Sequence, residues 1–315
     1  IQGGPMMLLE EVTAFDPSGG HWGRGYLRVE NDLSGDEWYL QGHFKNDPCM
    51  PGTLMCEGCL QAMVFYLAGC GYTVDKDGWR FEPLPHETYH LRCRGQVTPQ
   101  ARKLVYEVFV EELMDGPEPT IIADILGSAD GLKIFHGRRM ALRLVPDWPL
   151  SSRPELLAPI DAREAHQTVA DLDGFRFGYA SLLACAWGRP SDAFGDLGAL
   201  FDGTRHIARL PGPPYHFMSR VSTLTGPDGG KAKMGGMEVG TVLELEYDIP
   251  ADAWYFEESN APAMPFAVLL EAALQPCGWL AVFVGCPAKS DIDLYFRNLD
   301  GSGTIQRELT PDSGT

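Results

Sequence analysis

The chain has 315 residues, of which 44% are apolar and 22% charged, a balance typical of a globular protein long enough for two ordinary domains. Its formal net charge of −18 disfavours nucleic acid and anionic membrane surfaces as partners, because both would repel it. The chain begins with Ile rather than Met, so we expect an excised piece or a processed product, and no N-terminal signal pattern is visible. Its eight cysteines form no recognisable disulfide framework, so a reducing cytoplasm is expected.

The first predicted elements are two extended segments, about 6–16 and 22–32, separated by a Gly-rich turn. A Pro-marked loop then leads into an apolar helix at about 53–69. Predicted strands follow at 86–97, 103–113, 119–127 and 132–145. A helix that is apolar nearly all round needs a sheet wrapped around it. Residues 1–147 are therefore predicted to form an α+β module, a long central helix embraced by an antiparallel sheet.

Residues 148–213 form a segment that prolines mark at both ends. Its middle, 177–187, is apolar. The segment is too long and too apolar for a plain flexible linker, so we expect it to pack on the modules.

Residues 214–315 are predicted to be a second copy of the first module. The pattern M-P-x5-E-x2-L-Q occurs at 50–61 and again at 264–275, an offset of 214. Further matches in the same order are Phe44 with Phe256, Phe81 with Phe296, Leu84 with Leu299, and Thr98-Pro99 with Thr310-Pro311. Extended segments at 216–225 and 238–249 and a helix at 266–284 complete the second copy. It lacks counterparts of the last strands, so we expect an open sheet edge and an uncovered helix face.

Two sequence features have simple structural interpretations. Cys56 and Cys59 form a lone C-x-x-C inside the predicted helix, and we expect buried thiols because a zinc site would need more ligands. The apolar run near 262–286 contains Glu271, Gln275 and prolines, so no membrane span is expected. No metal and no organic cofactor is predicted.

Two residue types in the repeat point to acid–base chemistry. His43 lies in the Pro/Gly-rich loop before the first helix, where it could act as a general base or only satisfy loop carbonyls. Glu57 and Gln61 lie four residues apart on an otherwise apolar helix, as do Glu271 and Gln275 in the second copy. Burial would raise the pKa of such a carboxyl, which suits a proton donor, although a structural carboxylate capped by its own glutamine gives the same pattern.

Other candidate residues distinguish the two copies. Gly52 lies at the expected start of the first helix, where its N–H could hold a carbonyl oxygen or simply begin the helix. The counterpart of His43 in the second copy is Tyr255 or Glu257, depending on the alignment mark, so one working site is predicted. The histidines in the predicted strands of the first copy, which show no metal spacing and are interpreted as structural or surface residues, are His86, His90 and His136.

A family resemblance rests on four stretches. GHFKNDPCMPGTLMCEGCLQAMVFYL at 42–67 resembles the active-site region of bacterial β-hydroxyacyl-ACP dehydratases, in particular the hydroxydecanoyl dehydratase/isomerase type. The dehydratase region of multidomain polyunsaturated fatty acid synthases is more similar still, through FRFGYASLLACAWGRPSDAFG at 175–195, ARLPGPPYHFMSRV at 208–221 and LYFRNLDGSGTIQRELTPDSGT at 294–315. The resemblance implies a tandem (double) hot-dog fold whose second copy is truncated.

The resemblance also implies a reaction. In that family a loop histidine and a helix carboxylate convert a β-hydroxyacyl chain on acyl carrier protein to a trans-2-enoyl chain, and double-bond isomerisation is an extra activity. His43 matches the histidine, and Glu57 matches the carboxylate, as Glu where the decanoyl type has Asp. In double hot-dog dehydratases of polyketide synthases the second copy carries the carboxylate in a D-x-x-x-Q/H pattern, which Glu271 and Gln275 resemble. The catalytic pair is thus His43 with Glu271 or with Glu57, assisted by Gly52, Gln275 and Gln61.

The implied partners are an acyl carrier protein that carries the β-hydroxyacyl thioester and the neighbouring synthase domains; a homodimer is left open. Leu60, Val64 and Phe65 would line the acyl tunnel or simply pack in the core. Carrier proteins are usually acidic, so a basic patch of Arg138, Arg139 and Arg143 is a docking hypothesis, against a solvated strand face. The alternative functions are a hot-dog acyl thioesterase, a non-catalytic acyl- or carrier-protein-binding module, and a structural docking module.

Overall fold

The computed structural model describes residues 3–76, 79–146, 168–203, 205–259, 263–297 and 299–315. The strands are β1 (Glu11–Asp16), β2 (Tyr26–Asp32), β3 (Trp79–Pro83), β4 (Thr88–Cys93), β5 (Lys103–Met114), β6 (Thr120–Ala129), β7 (Leu132–Pro146), β8 (Asp171–Leu172), β9 (Phe175–Arg176), β10 (Arg220–Thr225), β11 (Val242–Glu246) and β12 (Asp300–Thr304). The helices are the first core helix (Gly52–Gly69), two helices of the inter-module segment (Tyr179–Ala186 and Pro190–Ala199), a short helix (Trp254–Glu258) and the second core helix (Phe266–Phe283). Short 3-10 turns lie at Gly4–Met6, Trp38–Gln41, Cys286–Lys289 and Pro311–Ser313.

The main antiparallel sheet wraps around the first core helix. Its strand order is β1-β2-β5-β6-β7-β4-β12, and β3 also pairs with β7. The helix buries 14 of its 18 residues, because its apolar surface extends around the whole circumference and the curved sheet covers most of it. The predicted α+β architecture, a hot-dog with a long central helix in an antiparallel sheet, is confirmed.

Close approach of the first core helix to the sheet requires a glycine at one position. A Cβ atom built on Gly58 would lie 2.6 Å from the Tyr106 ring on β5. Any side chain here would therefore push the helix away from the strands. This contact fixes the depth of the helix, and with it the position of the loop that precedes Gly52.

The second copy has fewer strands than the first. β10 and β11 form a separate two-stranded sheet, whereas β12 joins the main sheet by pairing with β4, Asp300 opposite Arg92 and Thr304 opposite Thr88. The second core helix packs on the first, but Ala273 and Cys277 are exposed. The expected uncovered helix face is therefore present.

The apolar character of the second core helix invites comparison with a membrane span. Within the described ranges, Phe266–Lys289 is long and apolar enough to cross a membrane, judged by length and composition alone. A core helix of a globular protein meets the same criterion, and this helix buries Glu271 against Thr53 of the first copy and Gln275 against the backbone of Phe217. The criterion is therefore weak support for a membrane location.

The described part of the inter-module segment, from residue 168, packs on the second core helix as expected; residues 148–167 of that segment lie outside the described residues. The Phe177 ring meets Trp279 at a centroid distance of 5.1 Å and Phe283 at 5.8 Å. Phe194 approaches Trp279 at 5.5 Å. These rings form a second apolar core, so the segment replaces part of the sheet that the second copy lacks.

The predicted elements differ from the observed ones mainly at their ends. The extended segment predicted from residue 6 becomes a strand only at Glu11, because Met6 is buried in a preceding turn and its carbonyl accepts a hydrogen bond from Gln61. β3 and β12 were not predicted. Both are five-residue strands stabilised by partners distant in sequence, which local patterns do not reveal.

Candidate active site

His43 is buried in the loop before the first core helix, with 8% of its surface exposed. Its Nδ1 lies 2.7 Å from the carbonyl oxygen of Cys49. Because a carbonyl only accepts hydrogen bonds, Nδ1 must be the donor and Nε2 keeps its lone pair. Burial lowers the pKa of His43 to about 4. The imidazole is therefore neutral at ordinary pH and can accept a proton at Nε2.

Glu271 lies on the second core helix and is 6% exposed. Its Oε2 accepts a hydrogen bond from the Thr53 hydroxyl at 2.8 Å, and its Oε1 accepts one from Gln275 Nε2 at 3.2 Å. Burial raises the pKa of Glu271, while these two hydrogen bonds oppose the rise. A carboxyl in this state can keep a proton nearer to neutral pH, as a proton donor requires.

Gln275 is itself fixed by hydrogen bonds to the backbone at 215–217, and it in turn bonds to Glu271. Its Nε2 also donates to the Tyr215 carbonyl oxygen at 2.9 Å, and its Oε1 accepts the Phe217 N–H at 2.9 Å. Because both ends of the amide are bonded, the side chain cannot turn without losing a buried hydrogen bond. The glutamine therefore orients the carboxyl of Glu271.

One cavity of about 210 Å³ is lined by both His43 and Glu271. Gly52 and Gln275 line the same cavity. The histidine and the glycine come from the first copy, whereas the carboxyl and the glutamine come from the second. The structure thus brings together four of the six residues predicted from the sequence.

Gly52 begins the first core helix at the wall of this cavity. The preceding Pro51 provides no side-chain cap, so the first-turn N–H groups are not occupied by a capping side chain. N–H groups at a helix start carry partial positive charge and suit a carbonyl oxygen or a developing oxyanion. Gly52 therefore has the position expected of an oxyanion donor.

Glu57 and Gln61 lie at a different cavity, of about 320 Å³, which no histidine lines. Gln61 Nε2 donates to Glu57 at 3.2 Å and to the Met6 carbonyl oxygen at 2.7 Å, and its Oε1 accepts the Leu8 N–H at 2.9 Å. This repeats the bonding of Gln275, so the two cavities are related by the internal repeat. Burial raises the pKa of Glu57 as well.

Residues with catalytic potential in the first cavity have different counterparts in the second. The offset of 214 places Phe266 at the position of Gly52, and this phenylalanine lines the second cavity. Tyr255 bonds with the hydroxyl of Tyr247 at 3.1 Å, and Glu257 is exposed. Neither lines the cavity. The second cavity is therefore lined by the carboxyls of Glu57 and Glu308 but by neither a histidine nor a helix-start glycine.

Apolar space continues from the first cavity along a route other than the one predicted. A cavity of about 70 Å³ shares Gly52 and Leu274 with it and is lined mainly by apolar side chains, among them Leu91 and Leu270. Leu60 and Val64 line the second cavity instead, because they share a helix face with Glu57. Phe65 lines none of these cavities. None of the three residues lines the His43 cavity, so of the two alternatives left open the acyl tunnel of that site is not supported.

The three arginines proposed as a basic patch are largely engaged in ion pairs. Arg139 Nη1 lies 2.5 Å from Glu111, Arg143 Nη2 lies 2.5 Å from Glu82, and Arg138 approaches Asp124 at 4.0 Å. These contacts favour the strand-face interpretation over a docking patch.

The other side chains singled out in the sequence lie away from the candidate site. Cys56 and Cys59 are buried free thiols, as expected. His86 and His90 are exposed, and His136 lies 3.7 Å from Asp124. Within the part of the chain that the structure describes, no group of three or more His, Cys, Asp or Glu side chains could hold a metal ion.

Sequence reasoning missed two residues of the candidate site, Thr53 and Tyr215. The Tyr215 hydroxyl lies 2.9 Å from Thr53 Oγ1, which in turn contacts Glu271. Thr53 directly follows Gly52, and the repeat places Ala267 at its position. The difference between Thr53 and Ala267 could have pointed to Thr53. For Tyr215 the sequence offered only its position in the stretch 208–221 that carries the family resemblance.

The chain is similar to one protein-family model and to a curated relative. Residues 1–138 match the family model described as FabA-like domain. One of the subunits of the polyunsaturated fatty acid synthase from Thraustochytrium sp. is 24% identical, over 96% of this chain and 27% of its own length, so this chain spans about a quarter of that relative.

Two solved structures show a weak similarity to parts of the chain. The dehydratase heterocomplex ApeI:P from Xenorhabdus doucetiae is similar over 50% of this chain and 92% of its own, with 17% identity and a TM-score of 0.35. A thioesterase from Pseudomonas aeruginosa covers 43% of this chain and 81% of its own, with 14% identity and a TM-score of 0.31. These two values are too low to discriminate between functions. The family match covers the His43 loop and the whole first core helix, so the part of the chain that contains both is similar to a FabA-like domain.

Proposed function

We propose that the region dehydrates a β-hydroxyacyl thioester carried by an acyl carrier protein and releases a trans-2-enoyl thioester. The observation that carries the proposal is the cavity that His43 and Glu271 line together. A neutral base and a protonated acid on one small cavity form the pair that removal of water from adjacent carbons requires.

In the proposed reaction His43 Nε2 accepts the proton from the carbon next to the thioester carbonyl. The electron pair of that C–H bond forms the new double bond, and the C–O bond to the β-hydroxyl breaks. Glu271 gives its proton to the departing hydroxyl, which leaves as water. The Gly52 N–H holds the thioester oxygen while negative charge develops on it. The same base could also move a proton further along the chain, so double-bond isomerisation belongs to the proposal.

Burial favours the uncharged form of both His43 and Glu271. It lowers the pKa of His43 and raises the pKa of Glu271. The imidazole is thereby kept ready to accept a proton and the carboxyl ready to donate one at the same pH. Glu57 has the same burial and a glutamine partner but no base on its cavity, so we assign it a structural role.

The test is enoyl-thioester formation from a β-hydroxyacyl thioester, followed by mass spectrometry. We expect His43→Ala and Glu271→Gln each to reduce kcat by about 10²–10⁴-fold, the usual contribution of a general base or acid. Glu57→Gln is the matched control, because it makes the same change at another buried carboxyl with a glutamine partner, and it should retain activity. Circular dichroism of each variant checks the fold.

Other results would change the proposal. An essential Glu57 would place the site within the first copy or across a homodimer. Release of free acid would indicate a thioesterase in which Glu271 activates water. A folded protein that binds the thioester without converting it would be an acyl- or carrier-protein-binding module.

A further inference from the structure

Three buried polar groups form a chain that leads away from the candidate cavity. Thr53 Oγ1 donates to Glu271 Oε2 at 2.8 Å, and the Tyr215 hydroxyl lies 2.9 Å from Thr53 Oγ1. Thr53 is 2% exposed and Tyr215 is 1% exposed. Tyr215 is also fixed by neighbouring rings, with Phe217 at a centroid distance of 4.9 Å and Trp38 at 5.8 Å. The chain is therefore shielded from water.

The chemistry of a hydroxyl gives this chain a direction. A threonine hydroxyl has one hydrogen, so when Thr53 donates to Glu271 it must accept from Tyr215. If Glu271 carries its proton on Oε2, the order reverses, and Glu271 donates to Thr53 while Thr53 donates to Tyr215. The carboxyl thus keeps a hydrogen bond to Thr53 both with and without its proton.

The hydrogen bond found for the related carboxyl of Glu57, among the residues that the structure describes, comes from Gln61 and not from a hydroxyl. The residue at the position of Thr53 is Ala267, which has no hydroxyl and whose backbone N–H opposes the rise in the pKa of Glu57. A backbone N–H can donate but not accept. It can therefore stabilise an ionised Glu57, but it offers nothing to the protonated form. The reversible hydroxyl belongs to the cavity that also contains His43.

We propose that Thr53 is a positioning residue that the first copy supplies to the acid of the second copy. It orients the Glu271 carboxyl and hydrogen-bonds with both of its protonation states, and Tyr215 provides the other end of the chain. The inference rests on the proposed function, because it assigns Glu271 the role of proton donor. It adds a requirement that His43 and Glu271 alone do not impose.

The experiment compares Thr53→Val, which has the same shape but no hydroxyl, with Thr53→Ser, which keeps one, and with Tyr215→Phe. Two quantities are measured for each folded variant. The first is the dependence of kcat/KM on pH. The second is the titration of Glu271 in the absence of substrate, followed by the infrared carboxyl band that disappears in Glu271→Gln.

Loss of the Thr53 hydroxyl removes a hydrogen bond from both forms of Glu271, but the bond to the ionised form is the stronger one, so in Thr53→Val the carboxyl should hold its proton to higher pH. The expected shift is about one pH unit, the difference between a hydrogen bond to a charged group and one between neutral groups. Activity requires the protonated acid, so the alkaline limb of kcat/KM should move upward with it. The kcat should fall at least about tenfold because a misoriented acid transfers its proton poorly. We expect Thr53→Ser to titrate like the wild type and Tyr215→Phe to show a smaller shift in the same direction.

Ser181→Ala is the control for loss of a buried hydroxyl. Ser181 bonds to the Ala193 carbonyl oxygen at 3.2 Å, in the apolar core of the inter-module segment, and its loss should leave both titrations unchanged. If the Glu271 titration and the alkaline limb of Thr53→Val coincide with those of the wild type, Thr53 is only a packing residue and the proposal is wrong. The infrared titration needs no turnover. If the Glu271 titration shifts in Thr53→Val but the wild-type protein forms no enoyl product, the Thr53 contact is supported and the dehydratase proposal is rejected.

Discussion

Protonation of His43 should make the fold sensitive to acid, and the size of the effect follows from its burial. The ordinary pKa of histidine, 6.5, applies to the unfolded chain, whereas burial lowers the value in the folded protein to about 4. Between these two values the unfolded chain binds a proton that the folded protein does not. The contribution of neutral His43 to the free energy of unfolding therefore begins to be lost as the pH falls through 6.5, and this loss is complete below about 4.

The variant to compare with the wild type is His43→Asn, because the asparagine side-chain amide can replace Nδ1 as the donor to the Cys49 carbonyl. Between pH 7 and pH 5 the wild type should lose about 2 kcal/mol more free energy of unfolding than the variant, since one pKa unit corresponds to about 1.4 kcal/mol. Urea unfolding at pH 7, 6 and 5 measures the difference. Other titrating groups, including the buried Glu57 and Glu271, contribute to both proteins and cancel in the comparison.

The same shift has a functional counterpart. Folded protein at pH 5 should still contain mostly neutral His43, so the acid limb of kcat/KM should lie near pH 4 rather than near 6.5. If the wild type and His43→Asn lose the same free energy between pH 7 and pH 5, burial does not hold His43 neutral. His43 would then not be held in the neutral form that a general base requires.

Three further predictions concern packing and the two glutamines. The Tyr106 hydroxyl is buried and has no hydrogen-bond partner among the described residues, so Tyr106→Phe should raise the free energy of unfolding by up to about 1 kcal/mol in urea unfolding, and a clear loss would contradict this. Gly58→Ala should lower it by about 1–3 kcal/mol although alanine favours helices, because the new Cβ would lie 2.6 Å from Tyr106; a stabilised variant would show that the helix can move away. Gln61→Ala and Gln275→Ala should each cost about 1–3 kcal/mol, since each leaves buried backbone groups unpaired, but only Gln275→Ala should also lower kcat for enoyl formation. Equal losses of kcat in these two variants would remove the distinction between the cavities.

Local sequence patterns were sufficient for the core helices and for the paired residues on them. Glu57 with Gln61 and Glu271 with Gln275 share a helix face because residues four apart are neighbours in any α-helix. The strands β5, β6 and β7 lie close to the predicted ranges, since each is long and joined to the next by a short turn. β3 and β12 were missed because their partners are remote in the sequence.

By itself the sequence determined the repeat, the two buried carboxyl–glutamine pairs and the single loop histidine, all of which depend on spacing within one segment. It left the partner of His43 open between Glu57 and Glu271. Only the tertiary structure placed His43 and Glu271 on one cavity and joined Tyr215, Thr53 and Glu271 in one hydrogen-bonded chain. The physical reason is that these contacts form between segments far apart in the chain, where the packing of one copy against the other decides which side chains meet.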